Sequence, residues 1–177
     1  TTYLPNGAQF TRPVNLSGTY NINGFLNYGF PLKKPKSNIN LGVNLSNSQS
    51  QTLVNNLSNY TRNTTAGFNA SWTTNIKEGF DMNFSSNSSF SFARYTLQPQ
   101  QNGDFFTQTF VAEPTIYTKS GWVFSTDFRY IKNTGRAERF NTNIPLWSAS
   151  IAKQLFKKKD GEIKFYVFDL LNQNQSL

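Results

Sequence analysis

The stretch VNLSGTYNINGFLNYGFPL, residues 14–32, alternates between two kinds of side chain. Even positions such as Tyr20, Ile22 and Leu26 are aromatic, aliphatic or glycine, whereas most odd positions, such as Asn21 and Asn23, are amides or hydroxyls. A period of two predicts a β-strand with one apolar and one polar face. Globular strands usually have about 5–6 residues, so alternation over the whole of 14–32 predicts an unusually tall sheet.

The same alternation recurs along the rest of the chain, at 39–46, 66–76, 80–92, 106–116, 122–130, 147–155 and 163–167. Short connectors with Lys and Pro or Gly are centred near residues 35, 78, 120 and 159, and longer polar connectors are predicted at 46–60, 98–104 and 133–143. The repeat of about 40 residues resembles that of a propeller blade, but a blade holds four short strands. Two long strands per repeat favour consecutive hairpins, and residues 1–177 are interpreted as one domain.

The composition excludes several kinds of active site. The chain has no His and no Cys, so it can form neither a Ser-His dyad, a cysteine nucleophile nor a disulfide. Aromatic residues make up 16% of the chain and charged residues 15%, with 17 Lys and Arg against 9 Asp and Glu. Charged residues make up about 25% of usual soluble domains. We therefore expect a β-rich, non-enzymatic protein without a cofactor.

The strand pattern favours a membrane barrel over a soluble sandwich. Residues 1–15 lack the features of a signal peptide, and the absence of an apolar run of about 18 residues argues against a transmembrane helix. Short turns on one side and longer loops on the other are typical of outer-membrane barrels, whose lumen tolerates uncharged polar side chains. The prediction is an all-β, antiparallel, up-and-down transmembrane β-barrel of about eight long strands. The alternative is a soluble β-sandwich, a carbohydrate-binding or adhesin-like module whose core the aromatic residues would fill.

Alternation also predicts which side chains share a face. We expect lipid contact for Tyr20, Ile22, Leu26, Phe68, Trp72, Phe124 and Phe128, and a lumenal position for Asn21, Asn23, Asn69 and Asp127. Aromatic girdles are predicted near the short turns, at Tyr28, Phe30, Phe80, Tyr117, Trp122 and Phe156, and near the loops, at Phe92, Tyr95, Phe105, Phe106, Tyr130, Phe140 and Trp147. Both chain ends fall on the loop side, which predicts two unpaired edge strands, 14–32 and 162–170, within a larger barrel.

Six stretches resemble the outer-membrane β-barrel domain of TonB-dependent-receptor-like proteins of Gram-negative bacteria: GFLNYGFP (24–31), YTLQPQQN (95–102), GWVFSTD (121–127), NTGRA (133–137), IPLWSASIAKQ (144–154) and VFDLLNQN (167–174). The resemblance implies a barrel of about 22 strands with an N-terminal plug, often a carboxypeptidase-regulatory-like domain, and energy-coupled uptake through TonB. It places these strands in the C-terminal part of the barrel, before a final closing strand. The alternative is an outer-membrane scaffold or partner-binding barrel without import.

Charged residues give few candidates for a site. Glu78 with Asp81, and Asp160 with Glu162, flank short turns and are attributed to turn chemistry rather than to acid–base catalysis. A calcium site at Asp104 and Asn102 is a weaker hypothesis. The remaining candidates are Arg129, Arg136 and Arg139 near an outer loop, which are predicted to contact lipopolysaccharide phosphates or an anionic ligand.

Two lysine clusters lie at predicted turns, at Lys33, Lys34 and Lys36 and at Lys157, Lys158 and Lys159. A nucleic-acid interface would interleave basic and aromatic residues along one stripe, whereas these lysines are separated from the aromatic strand centres. They are predicted to meet anionic lipid headgroups or periplasmic partners. No nucleic-acid partner is expected.

Overall fold

The computed structural model describes residues 2–3, 8–10, 15–33, 36–54, 57–77, 79–136, 141–156 and 160–174. The strands are β1 Thr2–Tyr3, β2 Gln9–Phe10, β3 Tyr20–Leu32, β4 Ser37–Val54, β5 Leu57–Lys77, β6 Phe80–Tyr95, β7 Gly103–Tyr117, β8 Trp122–Thr134, β9 Thr142–Leu155 and β10 Gly161–Val167. The only helix in these ranges is a 3₁₀ turn at Pro99–Gln101. The predicted all-β fold is confirmed.

The long strands form one antiparallel sheet in which each strand pairs with its neighbours in sequence, in the order β3 to β10. The predicted eight strands, joined in order, are therefore confirmed. Strands β1 and β2 pair only with each other, in a separate two-stranded sheet. Within the described residues, β3 pairs only with β4 and β10 only with β9, so both outer edges of the eight-stranded sheet are open.

The predicted loop at 46–60 is wrong, because β4 and β5 continue as a paired hairpin through this region. Pairing runs without a register shift from Ser37 opposite Thr74 to Val54 opposite Leu57. Polar side chains connect the strands where apolar ones end: Asn47 Nδ2 donates to Thr64 Oγ1 at 2.6 Å, and Gln51 Nε2 donates to Ser58 Oγ at 2.9 Å. The connector predicted at 98–104 has the predicted length but lies two residues earlier, since β6 ends at Tyr95 and β7 begins at Gly103. The one predicted at 133–143 is shorter, since β8 ends at Thr134 and β9 begins at Thr142.

The first long strand starts later than the alternation suggests. Val14 lies outside the described residues, and residues 15–19 are not part of the strand, which begins at Tyr20. Gly18 has a φ of +88°, a conformation that suits glycine and interrupts extended backbone. The Gly18 carbonyl accepts a 2.9 Å hydrogen bond from Gln49 Nε2, so a side chain takes the place of the backbone hydrogen bonds between strands here. At the other end of the sheet, β10 ends at Val167 rather than at residue 170, although the Leu170 amide still donates to the Trp147 carbonyl at 2.6 Å.

Tight connections join the strands at the end opposite the β4–β5 tip. The turn near residue 120 is confirmed: the Gly121 amide donates to the Thr118 carbonyl at 3.0 Å, and Gly121 has a φ of +85°. Position 35 lies outside the described residues, as do positions 78 and 159, but the strands that flank them are separated by only a few residues. We call this end of the sheet the turn side, and the opposite end the loop side.

The described strands form a single layer without a hydrophobic core. Ala152 is the one buried hydrophobic residue in the described ranges. The accessible surface is 13082 Å² for a mass of 20.1 kDa, whereas a compact monomer of this mass exposes about 8,700 Å². No helix in the described part of the chain is long and apolar enough to cross a membrane.

Candidate functional site

The strand register divides the side chains of the large sheet into two faces. Residues directly opposite each other in antiparallel strands point to the same side of the sheet. Leu26 is opposite Val43, and Val43 is opposite Phe68. The register carries this face, the apolar face, through Phe84, Phe110, Phe128 and Ile151 to Phe165, and it carries the polar face through Asn27, Gly42, Asn69, Asn87 and Thr109. The predicted separation of Tyr20, Ile22, Leu26, Phe68, Trp72, Phe124 and Phe128 from Asn21, Asn23, Asn69 and Asp127 is confirmed.

The apolar face is uncovered. Leu26 is 69% exposed, Phe68 46% and Phe165 70%. Three residues predicted for the girdles do not belong to this face, because the register places Tyr95, Phe105 and Tyr117 on the polar side, opposite Thr61, Ser91 and Val123. Phe156 lies in a bend beyond β9 with a φ of +64°, and Phe140 is outside the described residues. The remaining girdle residues lie on the apolar face.

A polar network interrupts the apolar face on β6 and β7. Gln108, only 9% exposed, accepts a 2.5 Å hydrogen bond from Ser88 Oγ and donates a 3.0 Å bond from Nε2 to Ser86 Oγ. Two ring pairs flank the network, Phe84 with Phe110 at 6.4 Å and Phe90 with Phe106 at 4.6 Å between centroids. The amide and hydroxyl groups are therefore satisfied by one another beneath aromatic rings, as a polar group in apolar surroundings must be.

The apolar band is oblique to the strands. On β4 the band runs from Ile39 to Leu45, with its midpoint at Gly42. Following directly opposite residues from Gly42 across the sheet leads to Ile144 on β9. Continuing the β9–β10 register by the same rule leads to position 172, which is where a band perpendicular to the strands would be centred. The band on β10 runs from Ile163 to Val167, with its midpoint at Phe165. The band thus shifts by about seven positions over six strand steps, which corresponds to a slope of about 40° at ~3.4 Å per residue and ~4.8 Å per strand.

On the polar face, asparagine side chains lie over glycines of the neighbouring strands. A Cβ atom at Gly42 would collide with the amides of Asn27 and Asn69, and one at Gly67 would collide with Asn44. Each pair is directly opposite in the register. Glycine therefore creates the room in which the amides lie flat on this part of the sheet.

The polar face carries charged residues on β6, β7, β8 and β10. The Glu113 carboxylate accepts a 2.7 Å bond from Asn83 Nδ2, and Asp127 lies close to both Glu113 and Arg129. Pro114 lacks an amide hydrogen, and the β7–β8 pairing skips Glu113 and Pro114. Two grooves meet at Glu113: one of about 600 Å³ beside Asn83, and one of about 330 Å³ lined by Ser125, Asp127, Ser148, Lys164 and Tyr166.

The structure describes two of the three predicted arginines. Arg129 lies on the polar face, because it is opposite Val111 and Leu146. The Arg136 guanidinium is 5.6 Å from the Phe105 ring centroid, and Arg139 lies outside the described residues.

The predicted calcium ligands have other partners. Asp104 Oδ1 forms a 2.6 Å ion pair with Arg94, and Asn102 Oδ1 accepts a 2.8 Å bond from the Tyr95 amide. No group of three or more acidic side chains that could hold a metal occurs among the described residues. Asp81 lines the larger groove, whereas its predicted companion Glu78 is outside the described residues, as are Lys34 and Lys157, Lys158 and Lys159.

Sequence reasoning missed a set of basic residues on the apolar face at the loop side. Arg62 on β5 and Arg94 on β6 are directly opposite each other, and Lys132 on β8 is opposite Gln108 on β7. Their parity is visible in the sequence, since Arg62 is in phase with Phe68 and Lys132 with Phe128.

Searches with this chain found no matching protein-family model, curated protein or solved structure. The functional interpretation therefore rests on the geometry of the two faces.

Proposed function

We propose that this chain forms wall strands and outer loops of a non-catalytic transmembrane β-barrel in a bacterial outer membrane, of the TonB-dependent transporter or receptor-like kind. The carrying observation is the single-layer sheet with an uncovered apolar face that extends across all eight long strands. Domains of soluble proteins cover such a face with a second layer of helices or strands. Within the described residues the only other sheet is the β1–β2 pair of two-residue strands. Lipid would supply the missing cover.

The slope and height of the apolar band support this proposal. The slope of about 40° falls within the about 35–45° tilt of strands in membrane barrels. On β7 the band extends from Phe106 to Ile116, which spans about 26 Å along the membrane normal at this tilt and ~3.4 Å per residue. Outer-membrane barrels have an apolar band about 25 Å tall.

The polar face would then line a water-filled lumen. Asparagine, serine and threonine side chains dominate this face on β3 to β6, where water can solvate them without a burial penalty. The opposite assignment would expose these amides to hydrocarbon and would leave the phenyl rings in water. The role of the residues described here is to separate lipid from this lumen and to hold the loops.

The open edges imply additional strands in the proposed barrel. Unpaired backbone groups cost several kcal/mol each in hydrocarbon, and β3 alone offers a thirteen-residue edge. We propose that strands of the same, larger barrel pair with β3 and β10. The resemblance to TonB-dependent-receptor-like proteins extends the proposal to a plug, to coupling with TonB and to an outer-membrane partner.

Accessibility of single cysteines tests the orientation of the sheet. The chain has no native cysteine, so spin labels can be placed at Phe68→Cys and its neighbour Asn69→Cys, and at Phe128→Cys and its neighbour Asp127→Cys. In lipid vesicles we expect oxygen, which dissolves in lipid, to relax the labels at 68 and 128 more strongly. A water-soluble nickel complex should favour 69 and 127. Equal accessibility of the two parities would refute the membrane barrel.

A further inference from the structure

The apolar face ends on the loop side in a row of basic side chains, and the following inference rests on the proposed membrane barrel. The row consists of Arg62 on β5, Arg94 on β6 and Lys132 on β8, which we call the basic belt. Arg62 and Lys132 are exposed, and the Arg94 side chain is 46% exposed. Parity places these residues on the face that the proposal turns towards lipid.

The belt residues lie towards the loop-side end of the apolar band, with Lys132 about 5 Å closer to its middle than Arg94. The belt residues lie six to eight positions beyond the midpoints of the apolar runs on their strands, which are residues 69, 86 and 126. At a tilt of about 40° and ~3.4 Å per residue this is about 16–21 Å above the middle of the band. The hydrocarbon ends about 15 Å from the bilayer centre, and headgroups extend to about 20–22 Å. The belt therefore lies at the level of the lipid headgroups.

The belt has unbalanced positive charge. Arg62 is directly opposite Arg94, an arrangement of like charges that destabilises a strand pair. At this level of β5 to β8, Asp104 supplies the one carboxylate among the described residues, and it pairs with Arg94 at 2.6 Å. Three bases and one acid leave a net charge of +2, which an anion between the strands would offset.

Neighbouring groups hold the belt in place. Arg94 Nη1 donates to the carbonyls of Ala93 at 2.9 Å and Gly103 at 3.2 Å, and its guanidinium is 5.9 Å from the Phe92 ring centroid. Arg62 Nη2 donates to Gln49 Oε1 at 2.8 Å. These bonds fix the two guanidinium groups but leave other N–H donors available, because each guanidinium carries five.

Aromatic rings lie next to Arg94 on the same face. Phe92 and Phe90 follow Arg94 on β6 towards the middle of the band, and Phe106 is directly opposite Phe90. On the turn side, by contrast, Lys153 is engaged: its Nζ donates to the Ser120 carbonyl at 2.6 Å and lies 5.0 Å from the Trp122 ring centroid. The loop side thus combines available cations with a surface suited to acyl chains.

We propose that the basic belt binds the phosphate groups of an anionic lipid of the outer leaflet, with the acyl chains against the Phe90, Phe92 and Phe106 rings. Guanidinium groups are suited to phosphate because their planar donors form bidentate, charge-assisted bonds. A phosphorylated glycolipid such as lipid A has this chemistry. The belt lies on the face opposite to that of Arg129, which the register places on the polar face.

Lipid retention by the full protein in detergent tests the belt. Native mass spectrometry would measure binding of bis-phosphorylated lipid A, dephosphorylated lipid A and inorganic phosphate. The test variants are R62Q/R94Q and K132Q, and R129Q is the matched control because it removes one positive charge from the opposite face. A juxtamembrane base contributes a factor of about five to anionic lipid binding. We therefore expect about 30-fold weaker lipid A binding by R62Q/R94Q, about fivefold weaker binding by K132Q and unchanged binding by R129Q.

A gain-of-binding variant protects the test against loss of folding. D104N removes the carboxylate that competes for Arg94, so it should bind bis-phosphorylated lipid A more tightly than the wild type does. Equal binding of phosphorylated and dephosphorylated lipid A, or equal losses in R62Q/R94Q and R129Q, would overturn the proposal. Belt-dependent binding of inorganic phosphate as tight as that of lipid A would also overturn it. The spin-label contrast between positions 68 and 69 reports separately on the barrel, so a failed belt with an intact contrast leaves the proposed function standing.

Discussion

Replacing Gln108 by leucine should destabilise the sheet through the two serines left behind. In the wild type Gln108 bonds both Ser86 and Ser88, at 3.0 and 2.5 Å, and is 9% exposed under the flanking phenyl rings. A buried polar group without a partner costs about 1–3 kcal/mol. Q108L leaves two hydroxyls in this state, so we expect a loss of about 2–4 kcal/mol in the free energy of unfolding.

The triple variant S86A/S88A/Q108L separates hydrogen bonding from packing. It removes all three polar groups together, a change that can be nearly neutral, so its stability should lie within about 1 kcal/mol of the wild type. Gln49→Leu is the matched control on the loop side, where water can solvate the exposed partners that Gln49 leaves, and it should cost about 1 kcal/mol. Denaturant titration in phospholipid vesicles, followed by tryptophan fluorescence, measures these differences. Equal losses in Q108L and in the triple variant would refute the reasoning.

Three further predictions follow from the two faces and the open edges. Gly42→Ala should destabilise the sheet by about 1–3 kcal/mol, because the new Cβ displaces the flanking amides; Gly24→Ala, with nothing within 4 Å, should be neutral in the same titration, and similar losses would contradict the amide packing. Trp147→Phe and Thr126→Val should each cost about 1 kcal/mol, because each removes the 2.6 Å bond from Trp147 Nε1 to Thr126 Oγ1; an additive double variant would show that the bond contributes nothing. The 177-residue chain alone should give no heat-modifiable monomer on a gel, because the edges of β3 and β10 are unpaired, and a stable closed monomer would favour a small self-contained barrel.

Alternation was sufficient to predict the strands and the faces at the centre of the sheet. Phe68 and Asn69, for example, differ in both polarity and parity, and side chains in a strand alternate strictly. The hairpin beyond Ser46 was missed because hydropathy no longer alternates there. Backbone pairing continues without an apolar face, supported by amide and hydroxyl bonds such as that of Asn47 with Thr64.

The candidate site required the register, which the sequence does not specify directly. Arg129 and Lys132 are three residues apart and so point to opposite faces, although both lie near the same loop. Proximity to the loop suggested Arg129 as a ligand contact, whereas parity assigns it to the polar face. The juxtaposition of Arg62 and Arg94 depends on a pairing between strands whose partners lie 32 positions apart, and no local pattern encodes it.

The absence of a packed interior on the described strands changes which substitutions the protein can accept. A side chain such as Leu26 or Phe165, most of whose surface is open, has no complementary cavity to fill. Exchanging leucine, isoleucine and phenylalanine at such positions should alter neither void volume nor rotamer strain, the two terms that limit substitution in a close-packed core. Selection on this face therefore acts on polarity at every second position and hardly on shape. On the polar face, side-chain size is what limits substitution, because the amides of Asn27 and Asn69 occupy the space around Gly42. The steric constraints of this fold therefore lie on its hydrophilic side.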